Sequence, residues 1–250
     1  MALLGRYWLE FRYLFLVQIL EQRGWLVGTI LFTSIFPLML VFGLGRIGIG
    51  QTAETLAYVI TGSTVVSLTT VGITMLAQDL GNAKERGDFL YYASLPISKA
   101  VFLLALIASK LLIQLPGIAV SLIGGSLLYR FHLAPNPLLF LIIPLAAVSI
   151  SGIGAALGML SPNFQATNVL SQLILFIVMF ASPVYIAASA LPLPVQVFGL
   201  LLPPTYAADA LRRAIAGVTD GRLALDLLVL FAWAVASLGG VTRGLKWRLK

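Results

Sequence analysis

Cysteine is absent from this sequence, and histidine occurs once, as His132. Without cysteine the chain forms no disulfide and offers no thiolate to a metal, and cysteine usage says nothing about its compartment. His132 falls in a polar loop, where a lone histidine is solvated, so a serine inside a span would have no base to activate it. We therefore expect no catalytic residue, no cofactor and no metal site in this chain.

Charge is also scarce. Charged residues make up 10% of the chain and hydrophobic residues 60%, whereas about 25% of a soluble domain is charged. This composition predicts an integral membrane protein. The net charge of +7 does not indicate nucleic acid, because the basic residues lie at the ends of apolar runs and form no stripe with interleaved aromatics. The expected partner is the lipid bilayer, with no nucleic acid.

Six apolar runs are long enough to cross a bilayer, which takes about 20 residues. They cover residues 25–45, 56–77, 100–128, 138–160, 167–185 and 223–241. Before them, Trp8, Phe11 and Phe15 recur at helical spacing within residues 3–23, while Arg6 and Glu10 stand one turn apart. That pattern is typical of an amphipathic helix in the membrane interface. The sequence thus predicts an all-α integral membrane protein with one transmembrane domain over residues 1–250.

Internal charges cluster only between the second and third runs, in residues 84–96. The charged members are Lys84, Glu85, Arg86 and Asp88. Phe89 and Tyr92 share one face of a helix, which Pro96 ends. The segment predicts a short helix that docks a partner at the membrane surface, with a solvated loop as the alternative.

Small polar residues recur along one face of the second run, at Ser63, Ser67, Thr70 and Thr74. They indicate a packing seam, where small residues let helices approach closely, or the wall of a substrate path. Asn168 and Gln172 stand one turn apart in the fifth run and are further path candidates. In the third run, Lys110 is expected to extend toward the headgroups, because the sequence places no partner carboxylate within a span.

Residues 187–217 are apolar but interrupted by prolines, which forbid one straight spanning helix. They predict a re-entrant hairpin of short helices, tolerated at membrane depth where protein covers the backbone. Its second part, residues 205–217, is expected to lie in the interface with Asp209, Arg212 and Arg213 on the wet side.

Orientation follows from the basic residues. With six spans both termini share one side, and eleven of the sixteen Lys and Arg residues fall there. The positive-inside rule therefore places both termini and residues 84–96 in the cytoplasm, and residues 187–217 outside. Glycines at positions 43, 45 and 48 match a dinucleotide fingerprint, but they follow a membrane span rather than a strand, so we expect no nucleotide there.

Two sets of short motifs resemble those of a known family. The first set is Glu85-Arg86-Gly87-Asp88-Phe89-Leu90, then Leu95-Pro96, then Lys110; the second is Phe180-Ala181-Ser182-Pro183, Leu191-Pro192, Pro203-Pro204-Thr205-Tyr206 and Asp209-Ala210-Leu211-Arg212. In order and spacing, the chain resembles the membrane permease subunits of type-2 ATP-binding-cassette (ABC) exporters over essentially its whole length. Family members often have asparagine before the proline at Pro203-Pro204 and threonine at Asp88, and these departures leave the substrate class open.

The resemblance implies an N-terminal interfacial helix, six spans, a cytoplasmic coupling helix at residues 84–96 and an external re-entrant hairpin at residues 187–217. ATP and magnesium would be bound by a separate ABC ATP-binding subunit, present in two copies. That subunit would grip the ATPase-coupling residues Lys84, Glu85, Arg86, Asp88, Phe89 and Tyr92, with Phe89 and Tyr92 filling a pocket on it. A second permease, as a homodimer, would complete the path. The external gate candidates are Pro183, Pro192, Pro204, Asp209 and Arg212.

The implied function is export of an amphipathic substrate, drug or lipid-like, across the cytoplasmic membrane of a prokaryote. Export of a lipid-linked polysaccharide by the same mechanism is the alternative. From other classes, an ion-coupled secondary transporter would want carboxylates buried in its spans, and the sequence places all nine acidic residues outside the spans or at their ends. An intramembrane enzyme would want a buried base or metal ligands.

Overall fold

The computed structural model describes residues 2–46, 52–130, 132, 134 and 136–244. Residues 47–51, which contain part of the glycine fingerprint, and the basic tail at residues 245–250 lie outside these ranges. The described residues form helices and no strand, and six of the helices are long and apolar enough to cross a membrane. The all-α membrane fold predicted from the sequence is therefore confirmed.

The helices follow one another along the chain with short connections. They are α1 (Ala2–Glu21), α2 (Leu26–Arg46), α3 (Ala53–Thr69), α4 (Leu76–Arg86), α5 (Asp88–Ser94), α6 (Lys99–Ala119), α7 (Gly125–Tyr129), α8 (Leu139–Leu160), α9 (Phe164–Ala181), α10 (Leu193–Gly199), α11 (Pro203–Ile215) and α12 (Gly221–Gly244). Two π-helical segments, Thr70–Met75 and Val120–Gly124, join α3 to α4 and α6 to α7. Residues 53–86 and 99–129 are consequently two continuous rods.

The rod of residues 53–86 begins at a capping box. The side chain of Thr52 accepts from the backbone N–H of Thr55, and the Thr55 hydroxyl oxygen accepts from the backbone N–H of Thr52. Two backbone donors that a helix start leaves unpaired are satisfied in this way. This rod is the most completely covered of the six candidate spans, because 89% of its most apolar 18-residue stretch is buried inside the protein.

The end of this rod differs from the sequence prediction. We predicted a span over residues 56–77 and a separate helix over residues 84–96. The helix instead continues to Arg86 and ends at Gly87, whose φ of 79° lies in the left-handed region. Glycine adopts that conformation without a steric penalty, so the break falls there and α5 begins at the next residue.

Close helix packing holds the rod against α8. A Cβ atom built on Gly154 would collide with the carbonyl oxygen of Gly72, and one built on Gly158 would collide with that of Ala77. Gly154 and Gly158 are four residues apart and form a small-xxx-small motif, which lets the two backbones come into contact. In lipid, such contacts take the place of hydrophobic burial in holding helices together.

Gly154→Ala should destabilise the protein by about 1–3 kcal/mol, because backbone atoms cannot move aside as a flexible side chain can. Unfolding of the purified chain in mixed micelles by sodium dodecyl sulfate measures the change. Gly239→Ala is the matched control, since a Cβ on that mid-helix glycine of α12 meets nothing within 4 Å. Equal midpoints for the two variants would contradict the packing account.

Helix α1 is not among the six candidate spans, and it packs along α6. Arg6 and Glu10 form the ion pair expected from their spacing, at 2.8 Å. Arg6 also donates to the carbonyl of Pro96 (2.7 Å), and Glu10 accepts from the backbone N–H of Ser98 (3.3 Å). The helix is thereby tied to the connection between α5 and α6.

The proline-rich segment folds as a 3₁₀ turn (Ala188–Ala190) followed by α10 and α11. We predicted that residues 205–217 would lie in the interface. Helix α11 instead packs into the body against α12, α8 and α3, with Ala207, Ala210 and Leu211 completely buried. Small alanine side chains permit that depth. The prediction that Arg212 lies on the wet side is wrong, because its side chain is 12% exposed.

Candidate functional site

The end of α4 is fastened to two other spans by charged side chains. Lys84 Nζ donates to the carbonyls of Met159 (3.1 Å) and Ser161 (2.9 Å) at the end of α8. Glu85 Oε1 accepts from the backbone N–H of Phe164, the first residue of α9, at 3.3 Å. A cation thus meets a helix C-terminus and an anion meets a helix N-terminus, the favourable arrangement for both helix dipoles. Any displacement of α4 at this end acts directly on α8 and α9.

Helix α5 continues from this anchored end across Gly87. Arg86 and Asp88 form an ion pair at 2.7 Å that bridges the break. Both side chains remain partly exposed, at 58% and 34%, so they stay accessible at the surface beside α5.

The aromatic face of α5 turns inward. Phe89 and Tyr92 are 5% and 9% exposed, and the Tyr92 ring lies 4.8 Å from that of Phe102. Burial raises the pKa of Tyr92, and the nearby Glu21 carboxylate adds to the increase. The prediction that Phe89 and Tyr92 fill a pocket on a partner is wrong for that contact, because both side chains belong to a buried cluster of the same chain that also contains Leu14 of α1, Leu80 of α4 and Phe102 of α6.

The outward face of α5 carries Leu90 and Tyr91, which are 55% and 65% exposed. Together with Arg86 and Asp88 they form the surface that we call the docking face. Its apolar side chains stand beside a charged pair at the end of the most buried rod.

The hydroxyl row of α3 and the π-helical segment that follows it lies largely between helices. Ser63, Ser67 and Thr74 are buried, and Thr70 is half-buried with its hydroxyl donating to the Val66 carbonyl at 2.9 Å. Ser67 also accepts from the amide of Gln114 on α6. This placement agrees with the packing-seam interpretation; a role of these residues in a path stays a prediction.

Asn168 and Gln172 are exposed on α9, one turn apart. Asn168 accepts a hydrogen bond from Gln78 of α4 at 2.8 Å. The two side chains form a polar interruption in a face that otherwise carries apolar residues such as Val169, Leu173 and Phe176.

Lys110 does not extend to the headgroups as we expected. Its ammonium group pairs with Asp79 of α4 and donates to Gln22 Oε1 at 3.0 Å. The expectation of no partner carboxylate was wrong because we ended the second span at residue 77, whereas the helix carries Asp79 well inside the rod. Residues 53–86 contain no proline, and that signal could have extended the span.

A second polar cluster lies at the opposite end of the molecule, around Arg212 of α11. The guanidinium group stacks 4.0 Å from the centre of the Tyr58 ring and donates to the carbonyls of Pro183 and Val184 at 3.4 and 3.2 Å. Burial lowers the pKa of Arg212, and Tyr58 and Asp209 oppose that decrease. Arg212 therefore ties α11 to the start of α3 and to the segment after α9.

The gate candidates are only partly brought together. Pro183, Asp209 and Arg212 line one cavity of about 350 Å³. Pro204 is buried in the first turn of α11, and Pro192 is exposed before α10, neither of them in that cavity. No sequence pattern singled out Tyr58, because a tyrosine near the start of an apolar run is typical of an interfacial anchor.

Next to this cavity, Tyr185 covers α3. Its ring occupies the space that a Cβ atom on Gly62 would need. Burial raises the pKa of Tyr185 to about 12, so the phenol stays neutral at physiological pH. The segment after α9 is thereby seated on α3 by an aromatic ring as well as by Arg212.

Arg212→Gln should lower the stability of the protein by about 2 kcal/mol, because it removes a cation–π contact and hydrogen bonds made by a charged donor. The shift of the thermal unfolding midpoint in detergent measures the loss. Arg23→Gln, at an exposed position between α1 and α2, is the control. A midpoint for Arg212→Gln equal to that of the control would show that Arg212 does not hold α11, the start of α3 and the segment after α9 together.

Comparison with known families gives one match. The model described as "ABC-2 type transporter" covers residues 10–216. This range runs from α1 to the residue after α11 and so includes the docking face, the hydroxyl row and the Arg212 cluster. No curated protein matches the sequence.

Proposed function

Since the chain belongs to the ABC-2 type transporter family, and so is the membrane subunit of an ABC transporter, we propose that it exports an amphipathic, drug or lipid-like substrate with energy from ATP hydrolysed on a separate subunit. In this proposal two copies of an ABC ATP-binding subunit, which carry ATP and magnesium, dock at the membrane surface. The chain itself contributes no catalytic group.

The observation that carries the proposal is the docking face at the end of the buried rod. Leu90 and Tyr91 offer exposed apolar area, and Arg86 and Asp88 offer charges for contacts around it. Lys84 and Glu85 fix the same end to α8 and α9. Movement of the ATPase would therefore reach three spans through packed and hydrogen-bonded contacts, which is rigid-body transmission.

Charge distribution supports the orientation. Counted along the sequence, eleven of the sixteen Lys and Arg residues are assigned to the side of residues 84–96, so we place the docking face and both termini in the cytoplasm of a prokaryote. The Arg212 cluster then lies at the external end, where α10, α11 and the segment after α9 act as the outer gate.

A second copy of the permease completes the path in this proposal. Helices α2 and α9 are mostly uncovered: only 17% and 22% of their most apolar 18-residue stretches are buried inside the protein. Asn168 already bonds to Gln78, but Gln172 is exposed on the same helix and would find no hydrogen-bond partner in lipid. Their exposure on α9 favours a homodimer in which this face borders an aqueous route between the copies.

Tyr91→Ala combined with Leu90→Ala should abolish co-purification with a co-expressed ABC ATPase subunit and uncouple its ATP hydrolysis from transport, because tyrosine is enriched among interface hot spots and Leu90 adds the neighbouring exposed apolar area. Thermal unfolding of the permease should stay unchanged. The measurements are the amount of ATPase retained on the tagged permease and transport per ATP hydrolysed.

Two further variants serve as controls for this experiment. Phe140→Ala removes an aromatic that is 87% exposed at the other end of the molecule and should leave docking intact. Phe89→Ala should instead reduce folded protein, since loss of a buried phenylalanine costs about 3–5 kcal/mol. Normal docking by the double variant at Leu90 and Tyr91 would overturn the proposed docking face.

A further inference from the structure

A polar recess opens between α2, α4 and α6, near the end that carries the docking face. It has a volume of about 220 Å³ and is lined by Gln22, Thr33, Gln78, Asp79, Lys110 and Gln114, together with apolar side chains from the π-helical segment and α6. π-helical segments inside α-helices frequently mark functional sites. Neither the docking face nor the Arg212 cluster contributes to this recess.

The recess is set back from the ends of two candidate spans. Lys110 stands eleven residues after the start of α6, which corresponds to about 16 Å along the helix axis. Asp79 stands seven residues before the end of α4, about 10 Å along that axis. Because ionisable residues within spans are costly to bury, they are candidates for substrate or ion sites.

The charged groups of the recess are balanced and accessible. Lys110 is 10% exposed and Asp79 is 45% exposed, so the carboxylate faces the open volume while the ammonium lies at its wall. An ammonium has three donors, and Lys110 uses them on Asp79 and Gln22 among the described residues. The residues that line the recess include one cation and one anion, so the lining itself carries no net charge.

Gln114 adds hydrogen-bonding capacity that the protein does not use. It is completely buried, and while its Nε2 donates to Ser67, its Oε1 has no hydrogen-bond partner among the described residues. If the amide nitrogen and oxygen of Gln114 were exchanged, the nitrogen would be the atom without a hydrogen-bond partner among the described residues. A buried amide of this kind costs about 1–3 kcal/mol unless something satisfies it.

We propose that this recess binds the head group of an amphipathic molecule whose head has no net charge and presents both donors and acceptors, such as a zwitterionic or a hydroxylated head. The inference rests on the proposed function, because it names the class of substrate. Asp79 accepts from a cationic or hydroxyl donor of the head, and Lys110 donates to its anionic or hydroxyl oxygen. A head of either net charge would leave one of the two residues facing a like charge.

Size and surroundings agree with a head group rather than a whole lipid. The volume equals that of about seven water molecules in the liquid. Val71, Met75 and Ile113 supply an apolar part of the wall, next to which the start of an alkyl tail can pack. Gln78 both lines the recess and donates to Asn168, so the site borders the exposed polar pair on α9.

The experiment uses four amphiphiles with the same octyl tail: octylphosphocholine, octyl glucoside, octyl sulfate and octyltrimethylammonium. Each is titrated below its micellar concentration into the purified full chain held in a nonionic amphipol, and binding is measured by calorimetry. The wild type should bind the first two about tenfold more tightly than the last two, since unpaired like charges oppose the latter. Equal binding of all four would show only partition of the tail and would overturn the proposal.

Substitutions at the two charges should redirect this preference. Asp79→Asn should favour octyl sulfate, and Lys110→Gln should favour octyltrimethylammonium, each by about tenfold relative to the wild type. Arg23→Gln and Glu54→Gln, at exposed positions outside the recess, change the net charge by the same unit and should leave the preference unaltered. Folded variants at Asp79 and Lys110 that keep the wild-type preference would overturn the site.

The combined variant Asp79→Asn with Lys110→Gln serves where a single substitution prevents folding, because neither charge is then left unpaired. Its affinity for octylphosphocholine should fall about tenfold, whereas its affinity for octyl glucoside should be retained, because the glucoside hydroxyls still find amide partners. An unchanged ratio between these two amphiphiles would overturn the proposal. No ATPase is present in the binding assay, so its result is independent of whether the docking face proves correct.

Discussion

Direct contact between the backbones of two helices is the constraint on which this structure depends. The rod of residues 53–86 and α8 approach so closely at Gly154 and Gly158 that no side chain fits between them. In a bilayer the apolar side chains gain little by leaving lipid for protein, so close packing and hydrogen bonds hold the spans together. The rod consequently becomes a fixed axis, and the other elements are placed relative to it.

Both ends of that axis carry polar contacts to other elements. At one end Lys84 and Glu85 bond to the terminal backbone groups of α8 and α9. At the other end Arg212 stacks on Tyr58 and holds α11 and the segment after α9. A force applied at α5 is therefore transmitted along a buried helix whose far end touches the elements proposed as the outer gate. This arrangement gives the coupling proposed for the transporter a physical route.

The charges inside the spans differ in character from those at the two ends. Lys84 and Arg212 bond mainly to backbone carbonyls and complete helix termini or fasten segments. Lys110 and Asp79 pair with each other beside an open volume. Lys110 is nearly buried and Asp79 is partly exposed; such a pair is weak evidence for stability, because the desolvation of Lys110 offsets much of the attraction. The position of this pair beside a polar recess is what favours ligand recognition.

The sequence by itself determined the class of the fold, the six apolar helices and the family motifs, because these depend on composition and on local order along the chain. It also located the charged segment of residues 84–96, but it chose Phe89 and Tyr92 as the outward side chains. Which face of a short helix points outward depends on what the rest of the chain covers, and only the tertiary structure turned Leu90 and Tyr91 to the surface. The partnership of Lys110 with Asp79 was decided in the same way, since residues 31 positions apart meet only when two rods pack side by side.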